Sequence, residues 1–285
     1  MKPIDIPVVG IGPGSQPLEE DGADLSYPRM PHSMATYEPP TLPEADEVAA
    51  LAGGLALLQR LNRVLAAHRV DDPPEVLDLS GLDAENRDMI DQTLGEGEVS
   101  VRFEGSDDLR VQETRLAGIW RVRSIGPHGM AERDQIEVAD IPGVVRSLAF
   151  RQAAAQAEIR KPVPEGVLNA PPVLVELNDR SAHWDRGVEP HVVNLTLLPQ
   201  TEEDLVYLDA ALGQGPVTIL SRGYGNCRIT ATGLRNVWWV QHFNSQEHLI
   251  LNTLEVVDVP AAALAAKEDI EDSAGRLAEI LVALQ

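Results

Sequence analysis

"RITATGLRNVWWV", residues 228–240, has a counterpart 118 positions earlier in "RVQETRLAGIWRV", residues 110–122. Two further blocks keep the same offset: "TLGEGEVSV" (93–101) against "ALGQGPVTI" (211–219), and "IEVADIP" (136–142) against "LEVVDVP" (254–260). From Leu94 to Pro142 the comparison needs no gap, and 14 of the 49 positions are identical. Upstream, "VLDLSGLD" (76–83) matches "VVNLTLLP" (192–199) at an offset of 116, so the intervening loops differ by two residues. The chain is an internal duplication.

Each copy spells the same order of elements. A strand (76–79; 192–198) leads to a short helix that stops at Gly95 or Gly213, the residue type that closes helices. Val99, Val101 and Phe103, or Val217 and Ile219, then alternate with the period of a strand. One long or two short strands follow, ending in "GIWRV" or "NVWWV". A last strand ends at "DIP" or "DVP", with a helix after it (143–160; 261–284). Strands joined by short turns pair antiparallel, because parallel pairing needs a long crossover. The expected fold is α+β: two tandem units, each a mainly antiparallel sheet backed by helices.

Ahead of the first copy, Val48, Leu51, Leu55, Leu58, Leu61 and Leu65 form a helical stripe from Glu44 to Arg69. Gly53 and Gly54 inside it imply a kink or a close backbone contact. Residues 1–43 hold nine prolines and read as an extended arm. The domain expectation is therefore an arm (1–43), a helix plus first repeat (44–160), and a second repeat (161–285), with "RKPVPEGVLNAPP" (160–172) as linker.

With 285 residues and 44% apolar content the chain can bury a core. A net charge of −22 repels phosphate backbones and acidic membranes, so no nucleic acid is expected as partner. No apolar run is long enough for membrane insertion, and no secretory leader opens the chain, which reads as cytoplasmic. "GIGPGS" (10–15) is followed by prolines and acids where a nucleotide loop needs a helix. One cysteine makes neither an internal disulfide nor a multi-cysteine metal site, and the seven histidines show no helical pairing. Neither a metal nor another cofactor is expected.

What both copies share is most simply fold: Gly95/Gly213, Trp120/Trp238, Glu137/Glu255, Asp140/Asp258 and Pro142/Pro260. The tryptophans read as core, and the aspartates as turn or cap residues. Function is expected where the copies part. "EGSDDLRV" in the first stands against "RGYGNCRI" in the second, which adds Arg222, Tyr224, Asn226 and Cys227 beside Arg228; Asn236, Trp239, His242 and Asn244 are further additions. Successive strand residues face opposite ways, so one of Trp238 and Trp239 is expected on the surface, beside residues typical of binding hot spots. A sheet packed on both faces is the competing expectation. Cys227, His242 and an asparagine also have the residue types of a thiol nucleophile, base and orienter, though 15 positions separate the first two. No catalytic residue is assigned.

"GPGSQP", "MPHSMATYEPPTLPE" and the long stretch "ILSRGYGNCRITATGLRNVWWVQHFNSQEHLILNTLEVVDVP" together resemble the HupH/HyaF family of hydrogenase expression/formation proteins. The resemblance implies a non-enzymatic accessory chaperone in maturation of the [NiFe] hydrogenase. Its implied client is the small subunit precursor with its iron–sulfur clusters and twin-arginine signal. A HupG/HyaE-type thioredoxin-like accessory protein is the implied second partner. The alternative is a cysteine-dependent enzyme or redox carrier using Cys227.

Overall fold

The computed structural model describes residues 51–70, 72–105, 109–126, 131–222 and 225–284. The N-terminal arm, the acidic start of the first helix and Tyr224 lie outside the described residues. The first copy runs α1 (Ala52–Ala67), β1 (Glu75–Asp78), α2 (Ala84–Leu94), β2 (Val99–Phe103), β3 (Leu109–Glu113), β4 (Ile119–Ile125), β5 (Ala131–Val138) and α3 (Gly143–Ala149). The second runs α4 (Ala170–Ala182), β6 (His191–Asn194), α5 (Glu202–Leu212), β7 (Gln214–Ser221), β8 (Asn226–Thr232), β9 (Val237–Phe243) and β10 (Leu249–Val256). A 3₁₀ turn (Ala261–Ala263) and α6 (Lys267–Ala283) close the chain. No described helix is long and apolar enough to cross a membrane.

The ten described strands form one antiparallel sheet in the order β1-β5-β4-β3-β2-β7-β8-β9-β10-β6. The α+β class and the antiparallel strands are as the repeat implied. The order is a palindrome of the two copies, joined at β2 and β7. There Val101 pairs with Ile219, its own counterpart, flanked by Phe103 with Val217 and Val99 with Ser221. A two-fold relation therefore passes through the Val101–Ile219 pair, giving the isologous contact of a symmetric dimer within one chain.

The alternation of each strand splits the core by face. One face carries Val101, Val111, Trp120, Val122, Ile219, Ile229, Trp238 and Val240 in a continuous cluster under α3. The other face is buried at its two ends. Ile119, Ile136 and Val138 pack with α1, α2 and α6, while Val237, Trp239, Leu254 and Val256 pack with α4 and α5. Trp120 and Trp238 are core residues, each 0% exposed. Their ring N–H groups donate to the carbonyls of Ala139 and Asp258.

The helix ends follow local chemistry. Asp83 caps α2 by accepting from Asn86 N–H, and Thr201 with Asp204 forms a reciprocal capping box on α5. Gly95 and Gly213 close these helices at φ 60° and 61°. Gly97 is required by approach rather than by φ, since a Cβ there would stand 2.2 Å from the Thr114 carbonyl oxygen.

Several boundaries differ from the sequence reading. Leu51 is non-helical, so α1 begins at Ala52 and the two glycines sit in its first turn. There they make a tight contact: Gly54 N–H donates to Asn86 Oδ1 at 2.6 Å. The strand expected over 192–198 ends at Asn194, whose side chain accepts from Thr196 and Leu197 N–H and turns the chain. The expected linker runs into α4, because Pro171 and Pro172 occupy its first turn, where a missing N–H has no intrahelical acceptor to lose. The helix expected over 143–160 stops at Ala149. Phe150 packs edge-on against Trp238 with ring centroids 5.1 Å apart, and Ala154 exchanges hydrogen bonds with Gly233 and Arg235. Tertiary pairing overrides helix propensity in that segment.

This last deviation is half of an exchange. The chain after the first copy places Ala157 and Ile159 in the core under α4 and α5. The chain after the second returns α6 to the first copy, placing Ile270, Leu277 and Leu281 in the core under α1 and α2.

Candidate interaction surface

The meander β7–β8–β9–β10 brings to one end of the second copy Arg222 after β7, Gly225 before β8, and the turn of residues 244–248. Asn226 pairs with Phe243 and Cys227 with His242 across the ladder. Arg222 is exposed and donates its backbone N–H to the Glu98 carbonyl at 3.2 Å. Asn244 shapes the 244–248 turn, its Oδ1 accepting from Gln246 and His248 N–H, each at 2.9 Å. Arg222, Asn226, Cys227, Arg228, His242 and Asn244 are thus neighbours. Asn236 is not among them: it sits in the β8–β9 turn at the opposite end, with φ 60°.

Trp239 corrects the expectation of a surface tryptophan. It faces away from Trp238, as alternation requires, but α4 and α5 cover that face and leave it 7% exposed. Its ring N–H donates to Asn252 Oδ1 across the ladder at 2.5 Å. Arg228 is buried too, with its guanidinium 5.8 Å over the Phe243 ring. The aspartates Asp140 and Asp258 do not cap helices through their side chains. Asp140 closes a turn onto Ile141 N–H, and both carboxylates bind the Arg146 guanidinium, tying the copies together.

Cys227 and His242, far apart in sequence, do converge, with Sγ 3.8 Å from Nε2. Their surroundings oppose thiolate chemistry. Burial and the nearby Glu255 carboxylate push the thiol up to about 12. Glu255 is itself held above the ordinary carboxylate range by burial, against the hydrogen bond from Thr253 and the influence of His242.

Residues that sequence reasoning passed over complete this end. Leu197, Leu249 and Ile250 are 80%, 46% and 56% exposed, large apolar side chains in solvent. The chain after β6 runs beside the start of β10, where Leu195 N–H donates to the Asn252 carbonyl. The ladder shifts register between Leu249 and Leu251, making Ile250 a bulge residue. The same shift occurs in the first copy at Glu132, between Ala131 and Arg133. The signal was therefore in the repeat alignment, which sets Ile250 against Glu132 and Leu197 against Gly81.

Fold and surface together define a duplicated α+β protein whose second copy presents an apolar, polar-rimmed end, with Leu197, Leu249 and Ile250 where the first copy has Gly81, Ala131 and Glu132 in sequence. The family model of the HupH hydrogenase expression protein, C-terminal conserved region, matches the chain twice, over residues 51–161 and 167–284. The chain belongs to this family. It is 46% identical to the hydrogenase expression/formation protein HoxQ of Cupriavidus necator, covering 99% of this chain and 98% of HoxQ. It is also 46% identical to the hydrogenase expression/formation protein HupH of Rhodobacter capsulatus, covering 98% of each. A solved structure of the hydrogenase expression protein HupH from Thiobacillus denitrificans shares 31% identity, covering 40% of this chain and 93% of that one, with a TM-score of 0.36.

Proposed function

We propose that this chain is an accessory chaperone of hydrogenase maturation that holds the small subunit precursor before export and assembly. The near full-length relatives named for hydrogenase expression and formation support the maturation role. The observation that carries a binding role is the exposed apolar end of the second copy, a feature that marks interaction sites when rimmed by polar groups. The client is the iron–sulfur subunit with its twin-arginine signal, and a HupG/HyaE-type thioredoxin-like protein is the second partner. The acidic balance of the chain, 45 carboxylate residues against 23 lysines and arginines, favours approach of a basic segment. On this reading the chain acts in the cytoplasm, without a cofactor and without catalysis.

The test is a pull-down of the full chain with the small subunit precursor, with and without its signal peptide. Capture that weakens between low and physiological salt is the expected result. Capture of neither form overturns the assignment of the client. The contact of Cys227 with His242 favours a thiol-dependent reading instead, which requires Cys227→Ser to abolish function. A thiol pushed up to about 12 opposes it, because at neutral pH almost none is thiolate.

A further inference from the structure

We infer that the outer edge of β6, which pairs with no other described strand, is a docking edge for an extended client segment with alternating apolar side chains and cationic flanks; this rests on the chaperone reading. Among the described residues the sheet ends in two edges, β1 and β6, related by the internal two-fold. In both, the residue after the strand donates inward, Leu79 to the Asp134 carbonyl and Leu195 to the Asn252 carbonyl. By the alternation of an antiparallel ladder, the backbone groups of Val76 and Asp78, or of Val192 and Asn194, then point away from the sheet. Unpaired backbone edges recruit further strands unless they are guarded, most simply by charge.

The two edges are guarded differently. On β1 the ends are Glu75 and Asp78, with Glu132 at the bulge and Gly81 in the following turn. The matching positions on β6 are His191 and Asn194, with Ile250 at the bulge and Leu197 in the turn. In the sequence, each carboxylate or glycine among these positions is replaced on the second edge by a residue without a carboxylate, and His191 bonds Glu176 at 2.7 Å. Leu197 and Ile250 are also among the exposed apolar residues of the chain. Main-chain pairing with pockets for alternate side chains is the physics of strand addition.

Charge selects the occupant. Residues 187–221 and 236–266, which carry β6 and β10, contain no lysine or arginine, while Glu189, Glu202, Glu203 and Glu247 lie within them. Of the cations next to these ranges, Arg186 is paired with Asp258, and Arg222 lies at the end of β7, on the far side of β8, β9 and β10 from β6. An acidic segment is repelled and one with lysine or arginine flanks is drawn in.

The test uses the full chain and a fluorescein-labelled peptide of alternating Val and Thr with lysines at both ends. Controls are the same peptide N-methylated at alternate residues and one with glutamates at both ends. The variant Leu197→Gly/Ile250→Glu installs the first copy's residues. Since both side chains are exposed, its melting temperature should match wild type. Expected is binding by wild type and by Val76→Asp, which alters the other edge. Binding should be at least about tenfold weaker for the double variant and for either control peptide. Equal binding by the double variant, or of the N-methylated peptide, overturns the docking edge. The precursor pull-down separates the two levels. Equal capture of precursor by wild type and double variant overturns the edge and leaves the chaperone reading standing. Peptide binding lost in the double variant, with no precursor captured by wild type, upholds the edge and overturns the client.

Discussion

The two copies solve one packing problem with different chemistry. Between strand and helix in the first copy, Arg121 is buried and bidentate on Asp134, at 2.7 and 2.8 Å, and both Arg121 and Arg123 reach Asp91 on α2. At the matching positions the second copy has Trp239 and Asn252, joined by one hydrogen bond from the ring. The donor stays on the fourth strand of the copy and the acceptor on the fifth. At these positions a charged network has been exchanged for an aromatic slab, over which α4 and α5 close. The first copy binds its buried guanidinium, Arg121, to carboxylates; the second lays its buried guanidinium, Arg228, over the Phe243 ring and puts apolar groups at its rim.

The sharpest way to break this comparison is Trp239→Ala. Its cavity should cost about 3–5 kcal/mol in urea denaturation, as for other buried aromatics. A loss below about 1 kcal/mol would mean that the helices of the second copy do not depend on the slab.

Next comes Asp204, on the N-terminal turn of α5. Its Oδ1 accepts from Leu168, Asn169 and Ala170 N–H, each at 2.8 Å, and its Oδ2 from Thr201 N–H. These bonds hold the carboxyl below the ordinary carboxylate range, against the opposing effect of burial. Its counterpart Asn86 accepts one bond from the helix α1, through Gly54. Asp204→Ala should cost about 3 kcal/mol and Asn86→Ala about half that, because more buried donors are orphaned in the second copy. The Asp204 contribution is present above its unfolded value near 3.8 and is lost as pH falls through the lower folded value. Equal costs in the two variants would refute the asymmetry.

The part of this molecule legible in its sequence is the part the copies share. Identities at Gly95/Gly213 and Trp120/Trp238 fixed helix ends and core strands, because those roles depend on local backbone geometry and burial period. The joint between β2 and β7 was hidden, since nothing in a single strand names its neighbour. So was the exchange of C-terminal segments, where residues 150–160 have helical composition and follow a tertiary contact instead. At the candidate surface, the alignment pointed to Arg222, Asn226 and Cys227, which the fold brings together, and to a tryptophan that helices cover. Alternation says which way Trp239 faces; it cannot say whether a helix lies over it. The apolar substitutions at Leu197 and Ile250 stood in the same alignment but carried no chemistry that draws the eye.

Glu113 gives a smaller effect that tests the first copy alone, since its counterpart is Ala231. Burial, reinforced by the charges of Glu98 and Asp269 and opposed by a bond from Gly118 N–H, raises its carboxyl from 4.5 to about 7. The folded state then holds a proton that the unfolded state has released. Stability is full below about 4.5 and falls as pH rises to about 7. Glu113→Gln should remove that slope and be more stable by about 2 kcal/mol above pH 7, discounting partial solvent access. Identical urea midpoints for wild type and variant at pH 5 and pH 8 would show that the group is not held neutral.

The smallest effect expected is at Cys227, whose counterpart is Leu109. The side chain packs with Ile229 and Val240 in the shared cluster and has one weak polar contact, 3.8 Å to His242 Nε2, so Cys227→Ser should cost about 1 kcal/mol. Its thiol, raised from 9.0 to about 12, keeps its proton in the folded state across a range where the unfolded chain loses it. The wild type should therefore lose stability relative to the serine variant as pH rises from about 9 toward 12. Alkylation of the native thiol at pH 8 should be on the order of a thousandfold slower than that of a free cysteine, from the thiolate fraction alone. Rapid alkylation, or client capture that disappears in Cys227→Ser while the melting temperature holds, would turn a packing residue into a working one. The second copy would then differ from the first in chemistry as well as in surface.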